Sequence, residues 1–251
     1  MSAAKLFEGR RVAVFGDAIC DRWLTCEPRR LSREAPVMVL TQLGERLGAG
    51  GAANVARNLT ALGAEVTWIG AVGADPSGRE VLRLLEAEGV DTGDVELVPE
   101  WTTPTKTRVL ASEQRRYPQQ VMRIDQEPLT PLPAKAREAL AAALSRRASS
   151  FDAVLFSDYE YGSLGEEAAA VGREIARSGT PAVLDPRHGA HRFHGFTAWT
   201  PNVGELALLT GVAESALAES RCLADTAHTL LEKFDCRWML VTRGNLGMAL
   251  F

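Results

Sequence analysis

The sequence lacks the features that mark secreted, membrane-spanning and nucleic-acid-binding proteins. Its four cysteines, at positions 20, 26, 222 and 236, show no CxxC spacing, which favours reduced thiols over disulfides or a zinc site. No apolar run approaches the ~20 residues that a membrane-spanning helix needs. The formal charge is -4, and the arginines are scattered rather than massed into a nucleic-acid-binding patch. We therefore expect a soluble cytoplasmic protein without membrane or nucleic-acid partners.

What the chain does contain is enough apolar sequence for a large core. Its 251 residues are 46% hydrophobic and 24% charged. A chain of this length and composition is typical of one main domain with some elaboration. We predict a single domain over residues 1–251.

The recurring unit of the chain is a short apolar run, a polar residue at its end, and a helical segment. Continuous apolar runs are typical of strands covered on both faces, so the pattern predicts an α/β fold with a mostly parallel central sheet. Ligands bind at the carboxyl edge of such sheets. A single polar residue there could merely cap the next helix, but five together favour a polar crevice. The predicted strands are 12–15, 153–156, 182–184, 198–199 and 239–241, the helices include 133–148, 165–178 and 218–234, and the strand-end residues are Asp17, Asp158, Asp185, Asn202 and Thr242.

A glycine-rich stretch from Gly48 to Gly78 has the composition of a ligand cradle. Gly50 and Gly51 would let backbone approach a ligand without interference from a Cβ, and Asn54 falls in the helix predicted to follow. Further along, Asp75 before Pro76 predicts an N-cap and a first helical position. The apolar stripe predicted for the first helix is Val55, Leu59 and Leu62.

Two segments, 22–47 and 101–124, interrupt the α/β rhythm because they contain β-rich pieces without a helical period. They predict a small extra sheet that serves as a lid or as a dimer contact. The second segment also concentrates cations. These are either the protective charges of a solvated sheet edge or a clamp for a phosphorylated or acidic substrate. They are Lys106, Arg108, Arg115, Arg116 and Arg123.

Short motifs occur along nearly the whole chain, among them the block GGAANVARNLTALG followed by IGAVGADPSG. This block resembles the amino-terminal signature of the ribokinase-like (PfkB) carbohydrate kinases, and the other motifs match that family in order. The RLSREAPV, SDY and TPNVGE segments most resemble its heptose 7-phosphate kinase branch, whose members make the bisphosphate used to build ADP-heptose for lipopolysaccharide. The resemblance implies a three-layer ribokinase-like sandwich with a small β lid, using ATP and magnesium. The segments that match before or after this block are GDAICD at 16–21, RLSREAPV at 30–37, FSDYEYG at 156–162, LDPRH at 184–188, TPNVGE at 200–205 and VTRGNLGM at 241–248.

The same resemblance implies a role for individual residues on the sugar side. Carboxylates and asparagine would hold sugar hydroxyls, cations would face the sugar's own phosphate, and two strand-end aspartates would line the region between acceptor and donor. The implied hydroxyl-binding residues are Asp17, Asp21, Gly50, Gly51 and Asn54, the cations are Lys106, Arg108 and Arg123, and the two aspartates are Asp158 and Asp185.

On the nucleotide side, the resemblance implies that Asn202 and Glu205 position magnesium, through water, and the nucleotide phosphates. Arg187 stands where the heptose branch often has lysine, which keeps the charge but alters the donor geometry. The remaining residues implied to contact the nucleotide are Val203, Gly204, Thr242, Gly244 and Gly247.

One expected motif is missing from the sequence. Kinases of this family carry a Gly-Ala-Gly-Asp segment downstream of the part matching VTRGNLGM, and its aspartate is the general base. The chain ends at Phe251 without it, so we expect no catalytic base within the chain, a sandwich that lacks its carboxyl-terminal part, and impaired turnover.

Several functions are compatible with these motifs. The first is a heptose 7-phosphate kinase whose sequence here is a shortened form, and the second is a non-catalytic sugar-phosphate-binding or regulatory relative. A kinase for another sugar is also compatible, whereas a nucleotide-dependent oxidoreductase is disfavoured because the glycines do not form GxGxxG. In each case we expect a homodimer formed through the β lid.

Overall fold

The computed structural model describes residues 3–112, 117–187 and 189–251. Its strands are β1 Arg11–Gly16, β2 Ala18–Leu31, β3 Met38–Gly51, β4 Glu65–Ile69, β5 Ala71–Gly73, β6 Glu96–Val98, β7 Thr105–Ala111, β8 Gln119–Gln126, β9 Ala153–Ser157, β10 Ala182–Asp185, β11 Ala198–Trp199, β12 Trp238–Thr242 and β13 Met248–Leu250. Its α-helices are α1 Ala52–Ala61, α2 Pro76–Ala87, α3 Ala134–Arg147, α4 Glu166–Arg177, α5 Val203–Thr210 and α6 Ser220–Lys233. Short 3-10 helices span Ala3–Leu6, Ala148–Ser150, Ala190–Arg192, Ala216–Ala218 and Gly244–Leu246.

The central sheet has seven strands in the order β13-β12-β11-β10-β9-β1-β4. All neighbouring pairs are parallel except β12 with β13. The five apolar runs predicted to be strands all belong to this sheet, which confirms the α/β class and the mostly parallel sheet. Their carboxyl ends therefore share one edge, as the strand-end residues require.

Helices cover both faces of the sheet, so the fold has three layers. Alternate side chains of β1 show this directly: Val12 and Val14 pack in a core with α1 and α2, whereas Ala13 and Phe15 pack in a second core with α3, α4 and α6. Side chains of successive strand residues point to opposite faces, so a strand buried on both sides must be apolar throughout.

The β-rich segments form a separate four-stranded sheet, hereafter the small sheet, in the order β3-β2-β7-β8. Its two longest strands, β2 and β3, begin and end beyond the predicted bounds of 22–47, because they pair from Ala18 with Gly51 out to Leu31 with Met38. The glycine-rich cradle is thus the root of the small sheet. Arg115 and Arg116 lie outside the described residues.

The local signals around α1 and α2 were only partly informative. Asp75 is the N-cap of α2, with its side chain accepting from the Gly78 N–H at 2.7 Å and Pro76 in the first position, which confirms that prediction. The predicted stripe of α1 was wrong in part, because Leu62 is exposed and lies outside the helix. Three alanines let α1 pack closely on the sheet instead, and the buried face is Ala52, Ala53, Ala56 and Leu59.

The structure also shows the state of the cysteines and the length of the helices. All four cysteines are free thiols, and three of them are buried. None of the helices that the structure describes is both long and apolar enough to cross a membrane.

Candidate active site

The first of two neighbouring cavities lies between the small sheet and the start of α1, and has a volume of about 490 Å³. We call it the sugar-side cavity. Seven residues predicted for the sugar side line it, namely Asp21, Gly50, Gly51, Asn54, Lys106, Arg108 and Arg123. The lining residues that sequence reasoning missed include Trp23, Arg46, Arg57 and Tyr159.

Asp21 is held in this cavity by an arginine and by the shape of the opposite strand. The Arg108 guanidinium donates to Asp21 Oδ1 at 2.5 Å. A Cβ on Gly50 would overlap the Asp21 carboxylate, so only glycine leaves room for it there. The pairing orients one carboxylate oxygen and leaves Oδ2 beside the glycine backbone. Such an acceptor suits sugar hydroxyls, which donate to carboxylates.

Gly51 makes the turn from the small sheet into α1. Its φ of 62° is positive, and a Cβ there would lie 2.5 Å from the Asp17 carbonyl oxygen. The Ala52 N–H donates to that same carbonyl at 2.9 Å. This tight turn aims the first turn of α1, with the exposed Asn54, at the sugar-side cavity.

Asp17 does not line either cavity, in contrast to its predicted contact with sugar hydroxyls. Its side chain is buried, and both oxygens already accept backbone donors: Ser163 N–H at 2.9 Å on Oδ1, and Tyr159 and Tyr161 N–H at 3.0 and 3.1 Å on Oδ2. Burial raises its pKa, and these hydrogen bonds partly oppose that rise. Asp17 therefore braces the loop after β9 rather than presenting a free carboxylate.

Asp158 is likewise buried and is not among the residues that line the two cavities. Its Oδ1 accepts from the Glu160 N–H at 2.9 Å. Burial is the main cause that raises its pKa to about 6, and the nearby charge of Asp17 adds to the rise. Asp158 therefore does not line the region between acceptor and donor, where it was predicted to lie.

A second cavity, of about 410 Å³, follows the carboxyl edge of the central sheet. We call it the nucleotide-side cavity. Its polar lining includes Asp185, Arg187, Asn202, Glu205 and Thr242, and its floor includes Leu155 and Val183. An adjoining cavity of about 360 Å³ shares Asn202 and Thr242 with it and also contacts Val203, Gly204 and Gly244. Gly247 lies outside this lining, and with φ of 81° it closes the turn before β13.

Asn202 and Glu205 form a capping box at the start of α5. The Asn202 Oδ1 accepts from Glu205 N–H at 2.9 Å, and Glu205 Oε2 accepts from Asn202 N–H at 2.8 Å. The other Glu205 oxygen, Oε1, accepts from the Arg187 guanidinium. The NxxE pair is thus rigid, and its carboxylate carries a cation partner.

Two carboxylates line this cavity, those of Asp185 and Glu205, and both are candidate ligands for magnesium. Within the ranges that the structure describes, no three His, Cys, Asp or Glu side chains converge as a closed metal site. Asp185 nevertheless faces the same cavity as Glu205, and burial followed by the Glu205 charge raises the Asp185 pKa. Two neighbouring oxygen ligands fit a hydrated magnesium ion that is held mainly by nucleotide phosphates.

Tyr159 and Arg187 join the two cavities. Tyr159 lines the sugar-side cavity, Arg187 lines the nucleotide-side cavity, and the guanidinium carbon lies 5.2 Å from the centre of the tyrosine ring. Helix α1 also contributes to both, through Asn54 on one side and Val55 on the other. Two polar cavities therefore adjoin, one lined by Asp21, Asn54 and several cations and the other by Asp185, Arg187, Asn202 and Glu205.

Comparison with known proteins identifies the class. Residues 10–251 match the pfkB family of carbohydrate kinases, and the chain belongs to this family. It is 40% identical over 245 residues to the D-beta-D-heptose 7-phosphate kinase of Bordetella bronchiseptica, covering 96% of this chain and 73% of that protein. It is 36% identical over 240 residues to the bifunctional protein HldE of Trichlorobacter lovleyi, covering 95% of this chain but only 47% of the relative. The chain thus spans about half the length of the bifunctional relatives it matches.

Solved structures confirm the ribokinase-like fold. The ribokinase of Arabidopsis thaliana, complexed with ribose and ATP, superposes with a TM-score of 0.68 at 18% identity, covering 97% of this chain and 75% of that one. Phosphofructokinase-2 from Escherichia coli also gives a TM-score of 0.68, at 17% identity and the same coverage.

Proposed function

We propose that this protein is an ATP-dependent kinase that phosphorylates the anomeric hydroxyl of a heptose 7-phosphate. The observation that carries the proposal is the juxtaposition of the sugar-side and nucleotide-side cavities at Tyr159 and Arg187. The similarity to a protein named D-beta-D-heptose 7-phosphate kinase supports the choice of acceptor. The reaction would form a bond from the sugar oxygen to the γ-phosphorus, break the bond from that phosphorus to the bridging oxygen, which leaves with ADP, and release the proton of the sugar hydroxyl to solvent.

The sugar-side residues would bind and orient the acceptor. Asp21 would accept from sugar hydroxyls, while Asn54 can both donate and accept. Because Arg108 already neutralises Asp21, the pair can stay in place without an unpaired charge next to the sugar. Lys106 and the arginines give the cavity an excess of positive charge, which suits an acceptor that carries its own phosphate.

The nucleotide-side residues would hold the phosphates of ATP. Magnesium, when bound with ATP, would supply charge neutralisation at the phosphate oxygens. Asp185 and Glu205 would hold its water shell, and Arg187 could exchange its Glu205 partner for a phosphate oxygen. Thr242, Gly244 and Gly204 would border the rest of the nucleotide.

The decisive measurement is a coupled ATP assay together with calorimetric titrations on the same preparation. D-glycero-D-manno-heptose 7-phosphate, fructose 6-phosphate and ribose would each be tested with and without magnesium. Heptose-phosphate-dependent ADP release supports the proposal. Heptose-phosphate binding without ADP release would instead favour the non-catalytic relative. Preference for another acceptor, or no binding of any sugar phosphate, would refute the proposed substrate.

We also propose that the protein is a homodimer formed through the small sheet. The sheet face opposite the sugar-side cavity carries an apolar groove of about 610 Å³ whose lining includes Met38, Leu40, Val109 and Met122. Met38 and Met122 are 54% and 57% exposed, so this apolar groove is open to solvent in the monomer. The same face of a second copy would cover it. Sedimentation of Met122→Lys against Met122→Leu tests this, because only the lysine variant should become monomeric. Identical monomeric sedimentation of the native protein would refute it.

A further inference from the structure

The face of the small sheet that lines the sugar-side cavity carries an ordered cross-strand row. Strand register places Arg46 opposite Trp23, Trp23 opposite Arg108, and Arg108 opposite Arg123. All four side chains line the cavity. A second row, two residues nearer the root of the sheet, runs through Gly48, Asp21 and Lys106. Residues two apart on a strand share a face, so both rows face the same ligand space.

The cations in these rows differ in whether a carboxylate already holds them. Arg108 is paired with Asp21 at 2.5 Å, and Arg123 forms two bonds to Asp125 at 2.9 and 3.0 Å. Arg57, on the α1 wall, is held by Glu88 through bonds of 2.8 and 2.5 Å. Within the described parts of the chain, neither Arg46 nor Lys106 has a carboxylate within ion-pair distance. An incoming anion would meet these two cations without first displacing a carboxylate.

Arg46 is also pre-positioned. Its guanidinium carbon lies 4.0 Å from the centre of the Trp23 ring, a cation–π contact that uses the face of the guanidinium and leaves its N–H edge available. A Cβ on Gly48 would come within 2.9 Å of the Trp23 ring, so the glycine makes space for the indole beneath Arg46. A planar donor held by its face and free along its edge suits a phosphate, which accepts from two N–H groups at once.

We propose that Arg46, stacked on Trp23, forms with Lys106 the subsite for the phosphate that the acceptor sugar already carries. The inference rests on the proposed function for the identity of the sugar, but the anion subsite itself follows from the small sheet. It replaces Arg108 and Arg123, which the family resemblance implied, with one residue that sequence reasoning missed. Arg108 then serves as the positioning residue of Asp21, and Arg123 as part of the sheet edge.

The test is calorimetric titration of the native protein and of Arg46→Gln, Lys106→Gln, Arg108→Gln and Arg123→Gln. The ligands are heptose 7-phosphate, the same heptose without phosphate, and inorganic phosphate. Arg83→Gln is the matched control, because Arg83 lies outside both cavities and pairs with Glu80 on the surface of α2. Urea unfolding of each variant verifies that the fold is intact. Trp23 emission, assigned with Trp23→Phe, gives an independent readout of ligand arrival at Arg46.

Loss of a charge-assisted contact to phosphate should weaken heptose 7-phosphate binding by about 10- to 100-fold in Arg46→Gln and Lys106→Gln. Binding of the unphosphorylated heptose should change by less than about 3-fold in the same variants. An equal loss for both sugars, native-like binding by Arg46→Gln, or a larger loss from Arg123→Gln than from Arg46→Gln would overturn the subsite.

The phosphate subsite and the heptose assignment can each be refuted without the other. Arg46-dependent binding of inorganic phosphate without any gain from the heptose supports the subsite and refutes the heptose assignment. Tight binding of heptose 7-phosphate that ignores Arg46 supports the heptose assignment and refutes the subsite. Absence of binding of every phosphate compound by the native protein refutes both.

Discussion

Replacing Asp17 distinguishes a buried brace from a sugar ligand. Asp17 accepts three backbone N–H groups, from Tyr159, Tyr161 and Ser163, at 2.9 to 3.1 Å, and it is only 2% exposed. Asp17→Ala would leave all three donors without an acceptor in a buried setting. Asp17→Asn would keep one acceptor oxygen and turn an amide N–H₂ toward at least one of the donors.

The expected magnitudes follow from the hydrogen bonds and the burial. Each bond to a charged acceptor contributes about 1.5–3 kcal/mol, and removing the buried charge returns part of that because ionisation of Asp17 is itself opposed by burial. We expect Asp17→Ala to lower the free energy of unfolding by about 3–5 kcal/mol and Asp17→Asn by about 1–2 kcal/mol.

Urea unfolding followed by far-ultraviolet circular dichroism gives these values, with Asp21→Asn as the matched control. Asp21 is only partly buried and lines the sugar-side cavity, so its substitution should reduce sugar binding while changing unfolding by less than about 1 kcal/mol. An Asp17→Ala variant with the stability of the native protein would refute the bracing role. Loss of sugar binding in Asp17→Asn without any loss of stability would restore Asp17 as a direct ligand.

Three further substitutions probe separate parts of the site. Gly50→Ala should weaken sugar binding about 10-fold with nucleotide affinity unchanged, because the added methyl displaces the Asp21 carboxylate; equal loss for both ligands in titrations would contradict this. Glu205→Gln should lower magnesium-dependent ATP affinity about 10-fold because it removes the carboxylate charge that would hold the magnesium water shell, and a variant with native ATP affinity in the presence of magnesium would count against the assignment. Asp158 has its pKa raised from 3.8 to about 6, so the folded state holds its proton more tightly and this group's contribution to stability falls as pH rises from 3.8 through 6. Asp158→Asn should therefore exceed the native protein in unfolding free energy by up to ~3 kcal/mol at pH 7.5 and match it near pH 4, whereas a gain that is the same at both pH values would refute the titration of this carboxyl.

The sequence predicted the fold well because its strongest signals are periodic and local. Runs such as 153–156 and 239–241 are apolar at every position and short, and together these two properties are typical of a strand buried on both faces. The resulting parallel order fixes which ends meet, so Asp185, Asn202 and Thr242 were correctly expected at one edge. The positions of these residues are set by the direction of each strand and do not depend on which side chains surround them.

Residues whose role depends on which way a turn faces were harder to assign. Asp17 and Asp21 lie four residues apart in one motif. Gly16, with a φ of 155°, precedes Asp17, and the Asp17 carboxylate points into the loop after β9. Nothing in the spacing distinguishes the two aspartates. Arg46, by contrast, carried a readable signal: it precedes Gly48 and Gly50 at intervals of two, which puts all three on one face of a strand. That alternation would have assigned Arg46 to the cradle.

The loop after β9 ties the two cavities together physically. Its backbone is fixed by Asp17 at the end of β1, its Tyr159 ring forms a wall of the sugar-side cavity, and the face of that ring lies against Arg187. Arg187 in turn shares Glu205 with the N-terminus of α5, where the nucleotide-side cavity begins. A nucleotide phosphate that drew Arg187 away from Glu205 would therefore also change the packing of Tyr159 against the sugar.

Energetic coupling between the two ligands must be reciprocal, so a sugar that orders Tyr159 should raise nucleotide affinity by the same factor that the nucleotide raises sugar affinity. An arginine suits this connection better than a lysine would, because a guanidinium can stack on the tyrosine and keep its N–H edge for the carboxylate or phosphate, whereas an ammonium offers only a point charge.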